Sequence, residues 1–134
     1  MQNTDDLGKL ILRVVLGGLI LLHGIAKIMA GPAFVISATT SAGLPAAVGY
    51  LVYLGEVIAP ILLIVGVWSR LAALIIAGNM VFAVVLVHTK QLFTLNETGG
   101  WSLELQGMFL VAALALVLLG AGRFSIGGRG GRWN

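Results

Sequence analysis

Five acid or base side chains, His23, Lys27, Glu56, His88 and Glu104, sit inside or at the ends of segments otherwise apolar enough to cross a bilayer. A charge near a bilayer centre costs about 2.5–3.5 kcal/mol on insertion scales. A chain this apolar had every opportunity to avoid that cost, so these residues are where chemistry is sought. Imidazole and carboxyl groups within reach of one another suit proton relay. An ammonium group out of water suits the holding of an anion or of a developing negative charge.

Placing the five by depth sharpens the pattern. Four apolar stretches run from about Leu10 to Met29, Ala46 to Val67, Leu71 to Val87 and Ser102 to Leu119. Each is long enough for a hydrocarbon core about 30 Å thick at about 1.5 Å per residue. His23 lies roughly 20 Å into the first stretch, and Lys27 follows one turn later on the same side of the helix. Glu56 falls near the midplane of the second stretch. His88 closes the third, and Glu104 and Gln106 open the fourth. All of them gather in one half of the membrane, the half away from the N-terminus. The other half has Arg13 and Arg70, both read as interfacial.

The elements that must position these side chains follow from punctuation. Gly31-Pro32 ends the first span. Residues 33–45 form a connection closing with Gly43-Leu44-Pro45, with a short amphipathic piece around Phe34–Thr39. Trp68-Ser69-Arg70 is a tight turn that forces spans two and three into an antiparallel pair. The polar segment from His88 to Trp101 is a loop. Pro60 lies four residues after Glu56, so it withholds the N–H that the Glu56 carbonyl would accept and bends the helix there. Gly17, Gly24 and Gly66 permit close helix packing, and Asn79 reads as interhelical glue.

The expected fold is all-α, a membrane-embedded four-helix bundle with both termini cytoplasmic. Lys9, Arg13, Arg70, Arg123, Arg129 and Arg132 lie on one side and only Lys27 and Lys90 on the other, which places the basic side in the cytoplasm. Residues 1–126 form one membrane domain, and the Gly/Arg-rich residues 127–134 form a flexible tail. Lys9, Arg13 and the apolar run after them have the look of a signal peptide, but Lys27 stands where a small-residue cleavage site belongs. The first span is read as retained.

Composition excludes several classes. Of the 134 residues 59% are hydrophobic and 10% charged, against about 25% charged in soluble domains. The net charge of +3 gathers at the chain ends and argues against nucleic acid. The absence of cysteine removes disulfides, thiol redox chemistry and thiolate-held metal or iron–sulfur centres. No metal site is expected, because His, Glu and Gln lack the tight ligand spacings. There is no haem or flavin motif. A Glu–Lys or Glu–His pair can also be purely structural, fixing which helices pack together, and that reading stands beside the functional one.

Leu22-His23-Gly24-x-x-Lys27, Gly43-Leu44-Pro45, Glu56, Gly66-x-x-x-Arg70-x-Ala72-Ala73, His88, Glu104 and Gly120-Ala121-Gly122-Arg123-Phe124-Ser125-Ile126 occur in that order. Together they resemble the DoxX family of small bacterial membrane proteins, from about Leu10 to Ile126. The family more often has Pro where Ala121 stands and Tyr where Phe124 stands, and neither change touches the polar cluster. The resemblance implies a multi-pass protein of the bacterial inner membrane and redox work. A related archaeal subunit serves a thiosulfate:quinone oxidoreductase, and other relatives are linked to complexes that handle oxidative or thiol stress. A quinone is the implied cofactor. His23, Lys27 and Glu56 are then the expected catalytic set, with His88, Glu104 and Gln106 binding ligand. Expected partners are the lipid bilayer, a soluble or membrane oxidoreductase and a second copy of the chain. Two other readings fit the same residues: a binding or proton-coupled transport module for a small anion or lipid-like molecule, and a scaffold for a partner enzyme.

Overall fold

A segment with no polar face and no water around it must satisfy its own backbone, and a helix is the local way to do so. The computed structural model describes residues 2–134 and is all-helical. Its main elements are α1 (Gln2–Ala30), α2 (Ala33–Ser41), α3 (Ala46–Val65), α4 (Ser69–Val87) and α5 (Glu104–Leu119). Three of them, α1, α3 and α4, are long and apolar enough to cross a membrane. The 16 residues of α5 span about 24 Å, which falls short of that length.

α1 packs on α3, α3 on α4, α4 on α5, and α5 back on α1. The shared core holds Leu16, Ile20, Ala59, Leu63, Ala72, Ala73, Ile76, Phe109, Ala113 and Leu116. Alanines at 72, 73 and 113 are fully buried, and small residues of this kind let helix backbones approach closely. The outward faces are as apolar as the core: Leu22, Met29, Val85, Val111 and Leu118 are all exposed. Apolar residues on every face mark helices solvated by lipid.

Two helix boundaries differ from the sequence expectation. α1 begins at Gln2, not near Leu10. Asp5 in its first turn suits the positive end of the helix dipole, and Asp6, on the next turn, is buried against the C-terminal segment. The connection after Gly31 is itself largely helical. α2 buries Val35 and Thr39 and lies against the start of α3 and against α4.

The α3–α4 turn needs a left-handed residue. Gly66 supplies it at φ 79°, and its N–H and that of Val67 both reach the Leu62 carbonyl. Gly66 is thus required by backbone conformation as well as by proximity, since a Cβ there would also meet Arg13.

Arg13 departs furthest from its sequence reading. It is not interfacial: its side chain is fully buried. Nη1 donates to the carbonyls of Leu63 (2.8 Å) and Ile64 (3.0 Å), Nε to Ala121 (3.1 Å), and Nη2 to Phe124. The last turn of α3 has carbonyls without helical partners, and the guanidinium satisfies two of them. Its other donors hold the chain that follows α5. That chain folds back over the same end. Asn134 accepts from Ser69 N–H at 2.9 Å, its carbonyl accepts from Ala121 N–H at 2.6 Å, and Arg129 pairs with Asp6.

Replacing Arg13 with Met should leave these carbonyls without donors and destabilise the protein by about 3 kcal/mol or more. The check is limited trypsinolysis: cleavage after Arg123 and Arg129 should accelerate by roughly tenfold or more as the segment detaches. Unchanged resistance would show that Arg13 does not hold it.

Candidate functional site

The site begins with a proline. Pro60 has no N–H for the Glu56 carbonyl, and the helical ladder just before it widens to π spacing over Leu54–Ile58, with Ala59 N–H reaching Leu54. Single π turns occur often where a helix serves a site. The widened turn carries Gly55 and Glu56 into the interior, both buried. Two glycines of α1 meet this stretch. A Cβ on Gly17 would lie 3.0 Å from the Pro60 carbonyl oxygen, and one on Gly24 would overlap the Glu56 carbonyl oxygen. They are seven residues apart, two turns, and so share one stripe of the helix. Only glycine allows α1 to lie this close.

That proximity sets the polar contacts. Lys27 Nζ donates to Glu56 Oε2 at 2.6 Å. Asn79 Nδ2, from α4, donates to Glu56 Oε1 at 3.3 Å. Both carboxylate oxygens are therefore engaged, one by α1 and one by α4. Gly55 makes room for Asn79, whose Cβ would be 2.6 Å from a Cβ at position 55. Tyr53 on α3 adds a long hydrogen bond of 3.4 Å to the Lys27 carbonyl. Glu56 is 5% exposed and Lys27 33%, so the pair has a buried acid and a base that reaches open space.

That space is a cavity of about 140 Å³ lined by His23, Lys27, Glu56, His88 and Gln106 together with apolar Ile20, Met80 and Phe109. Five of the six residues expected from sequence meet there. The sixth, Glu104, does not line it. It is exposed at the start of α5, close to Gly100, because on a helix Gln106 two residues later points to a different side. His23 reaches the cavity edge-on to Phe109, ring centroids 6.0 Å apart, and among the described residues its ring makes no hydrogen bond. His88 Nδ1 lies 2.9 Å from Gln91 Oε1, which leaves Nε2 free to serve the cavity as acceptor or donor according to its protonation. A second cavity, about 180 Å³, lies under α2 and shares Lys27, Glu56 and His88 with the first. The ion pair stands at the junction of the two.

This arrangement can hold a polar ring edge with N–H donors against an apolar wall, and it can move protons through imidazole and carboxylate. Among the described residues no three His, Asp or Glu side chains come together as a metal site. Asn79, read from the sequence as interhelical glue, does join α4 to α3, and its partner in that bond is Glu56.

Comparison with known proteins adds to this geometry. The DoxX family profile matches residues 8–89. The chain belongs to the DoxX family. The matched region of this DoxX protein holds His23, Lys27, Glu56, Asn79 and His88, and stops before Gln106. A Bacillus subtilis (strain 168) protein named "Putative oxidoreductase CatD" is 27% identical over 121 residues, which is 90% of this chain and 85% of the relative. No solved structure matches.

If the Gly24 contact sets the distance between α1 and Glu56, Gly24→Ala should destabilise the protein in detergent by about 1–3 kcal/mol, the range for overpacking. Gly18→Ala is the control, since a Cβ there meets nothing within 4 Å. Equal thermal stability of the two variants would contradict the packing described.

Proposed function

We propose that this DoxX protein is a four-span helical bundle of the bacterial cytoplasmic membrane with both termini in the cytoplasm, and that it serves as a subunit of a quinone-linked oxidoreductase. The observation that carries the reading is the joint placement of His23, Lys27, Glu56, His88 and Gln106 around one partly apolar cavity. The orientation is supported by the basic residues. Arg13, Arg70 and Arg129 all make contacts at the end where the C-terminal segment folds back, and positive charge favours the cytoplasmic side. α5 completes its crossing with the residues before it, of which Leu103 is buried. On this orientation the cavity lies in the outer half.

The lining fits a quinone. Ile20, Met80 and Phe109 offer apolar surface for a ring, while Lys27, His23 and Gln106 offer N–H donors for carbonyl oxygens. A bound quinone would supply a two-electron acceptor that this chain lacks. Lys27 keeps N–H bonds to spare beyond the one given to Glu56, and it holds negative charge on a ligand oxygen. Glu56 fixes Lys27 and exchanges a proton at Oε2. His23 holds or passes a proton at the cavity edge. Electrons reach the site from a partner oxidoreductase that oxidises thiosulfate or a comparable small reductant. The oxidoreductase name of the B. subtilis relative agrees with this class of work.

The test separates turnover from folding. In membranes carrying the complex, Glu56→Gln should lower quinone-dependent turnover by about 10²–10⁴-fold, while Glu104→Gln leaves it near wild type. The neutral pair Lys27→Met with Glu56→Gln should regain stability lost by either single change, because no buried charge is left alone, yet regain no turnover. Full activity in Glu56→Gln would refute the relay. Stability effects without any change in turnover would favour a scaffold.

A further inference from the structure

A cavity of about 140 Å³ at the ion pair is small beside the 300–1,000 Å³ or so of a typical ligand pocket. It takes a polar ring but not a long hydrocarbon chain as well. A membrane-soluble substrate with both parts needs a second, apolar seat that connects with the first.

Such a seat lies between α3 and α4. An open groove of about 250 Å³ has walls of Val48, Leu51, Leu54, Ile75 and Phe82. Its depth comes from Gly78, where a Cβ would meet nothing within 4 Å. One polar side chain lines it, Asn79, and Asn79 is bonded to Glu56. The neighbouring cavities adjoin it. Val52, Asn79 and Phe82 line both this groove and the cavity under α2, and that cavity shares Lys27, Glu56 and His88 with the ring site. The wall thus grades from apolar at the open face to charged at the inner end.

We propose that the α3–α4 groove seats the hydrocarbon tail of a lipid-soluble quinone whose ring lies at Lys27, which makes Gly78 a specificity-determining position; this rests on the quinone-linked reading above. The polarity gradient selects the occupant. A bilayer acyl chain can fill the apolar part of the groove but leaves its polar inner end unmatched. An amphiphile with an apolar tail and a hydrogen-bonding head matches it along its length. Leu51 and Leu54 at its rim are exposed, so on the membrane-spanning reading the substrate enters from the bilayer without passing through water.

The experiment measures binding of two radiolabelled probes to the full chain in lipid nanodiscs. One is 2,3-dimethoxy-5-methyl-1,4-benzoquinone, which has no tail. The other is the same ring carrying a decyl chain. Wild type is compared with Gly78→Leu and, separately, Leu51→Trp at the exposed rim. Partitioning into lipid is common to all three proteins, so the variant-to-wild-type ratio reads the groove. Each variant should weaken the decyl probe by about tenfold or more, roughly the value of a few buried methylenes, and leave the tail-less probe within about twofold. Wild-type affinity for the decyl probe in both variants would overturn the tail seat while the ring site stands. Equal loss of both probes would also overturn it, because the groove would then be shaping the ring site itself. If neither probe binds wild type, the quinone-linked reading fails and the tail seat with it.

Discussion

Everything at the cavity end depends on a lysine and a glutamate, 29 positions apart in sequence, whose atoms approach to 2.6 Å inside apolar surroundings. Two charges there are tolerable only if each is held by the other and by further polar groups. The chain meets that condition from three helices: Lys27 from α1, Glu56 from α3, Asn79 from α4. The ion pair fixes how these helices sit, and their packing in turn fixes the pair. A structural role and a functional role are therefore not rivals for the same residues. The buried acid orients the base, and the base reaches a cavity that a ligand can enter.

The backbone had to be altered to allow this. Pro60 takes an N–H out of α3, the ladder widens to π spacing, and Gly24 brings α1 onto the Glu56 carbonyl. Helical regularity is given up at one turn so that a carboxylate points inward. The opposite end is built on the same principle with different groups. Arg13 is buried without an acid among its described partners and is satisfied by four carbonyls from α3 and the C-terminal segment. Between these two polar ends lies a core of leucine, isoleucine and alanine with little to say about chemistry. The protein is thus clamped at one end and holds a polar-lined cavity at the other.

The three long helices, the α3–α4 turn and the convergence of His23, Lys27, Glu56, His88 and Gln106 are legible in the sequence because each rests on local rules: apolar length, glycine and proline punctuation, helical periodicity. The burial of Arg13 is not, because its acceptors are backbone carbonyls, which every residue has and no residue type announces. Glu104 misleads for a related reason. Depth along a span says nothing of azimuth, and at the first turn of α5 the carboxylate faces away from the cavity that Gln106 lines. Asn79 is legible as interhelical glue, but that its partner is Glu56 emerges only when Gly55 and Glu56 are seen opposite it. The family resemblance spans features from α1 to Ile126, beyond the end of α5, and the profile match over residues 8–89 covers the helices that carry the ion pair.

The most direct test of the account is whether the cavity at the ion pair holds a quinone as the protein comes from the membrane. Organic extracts of the gently purified protein, wild type beside Glu56→Gln, would be compared by mass spectrometry after normalising to protein. The account predicts close to one quinone per chain in wild type and a clear loss in the variant. Quinone at the same trace level in both would mean that the ion pair organises the helices without serving that ligand.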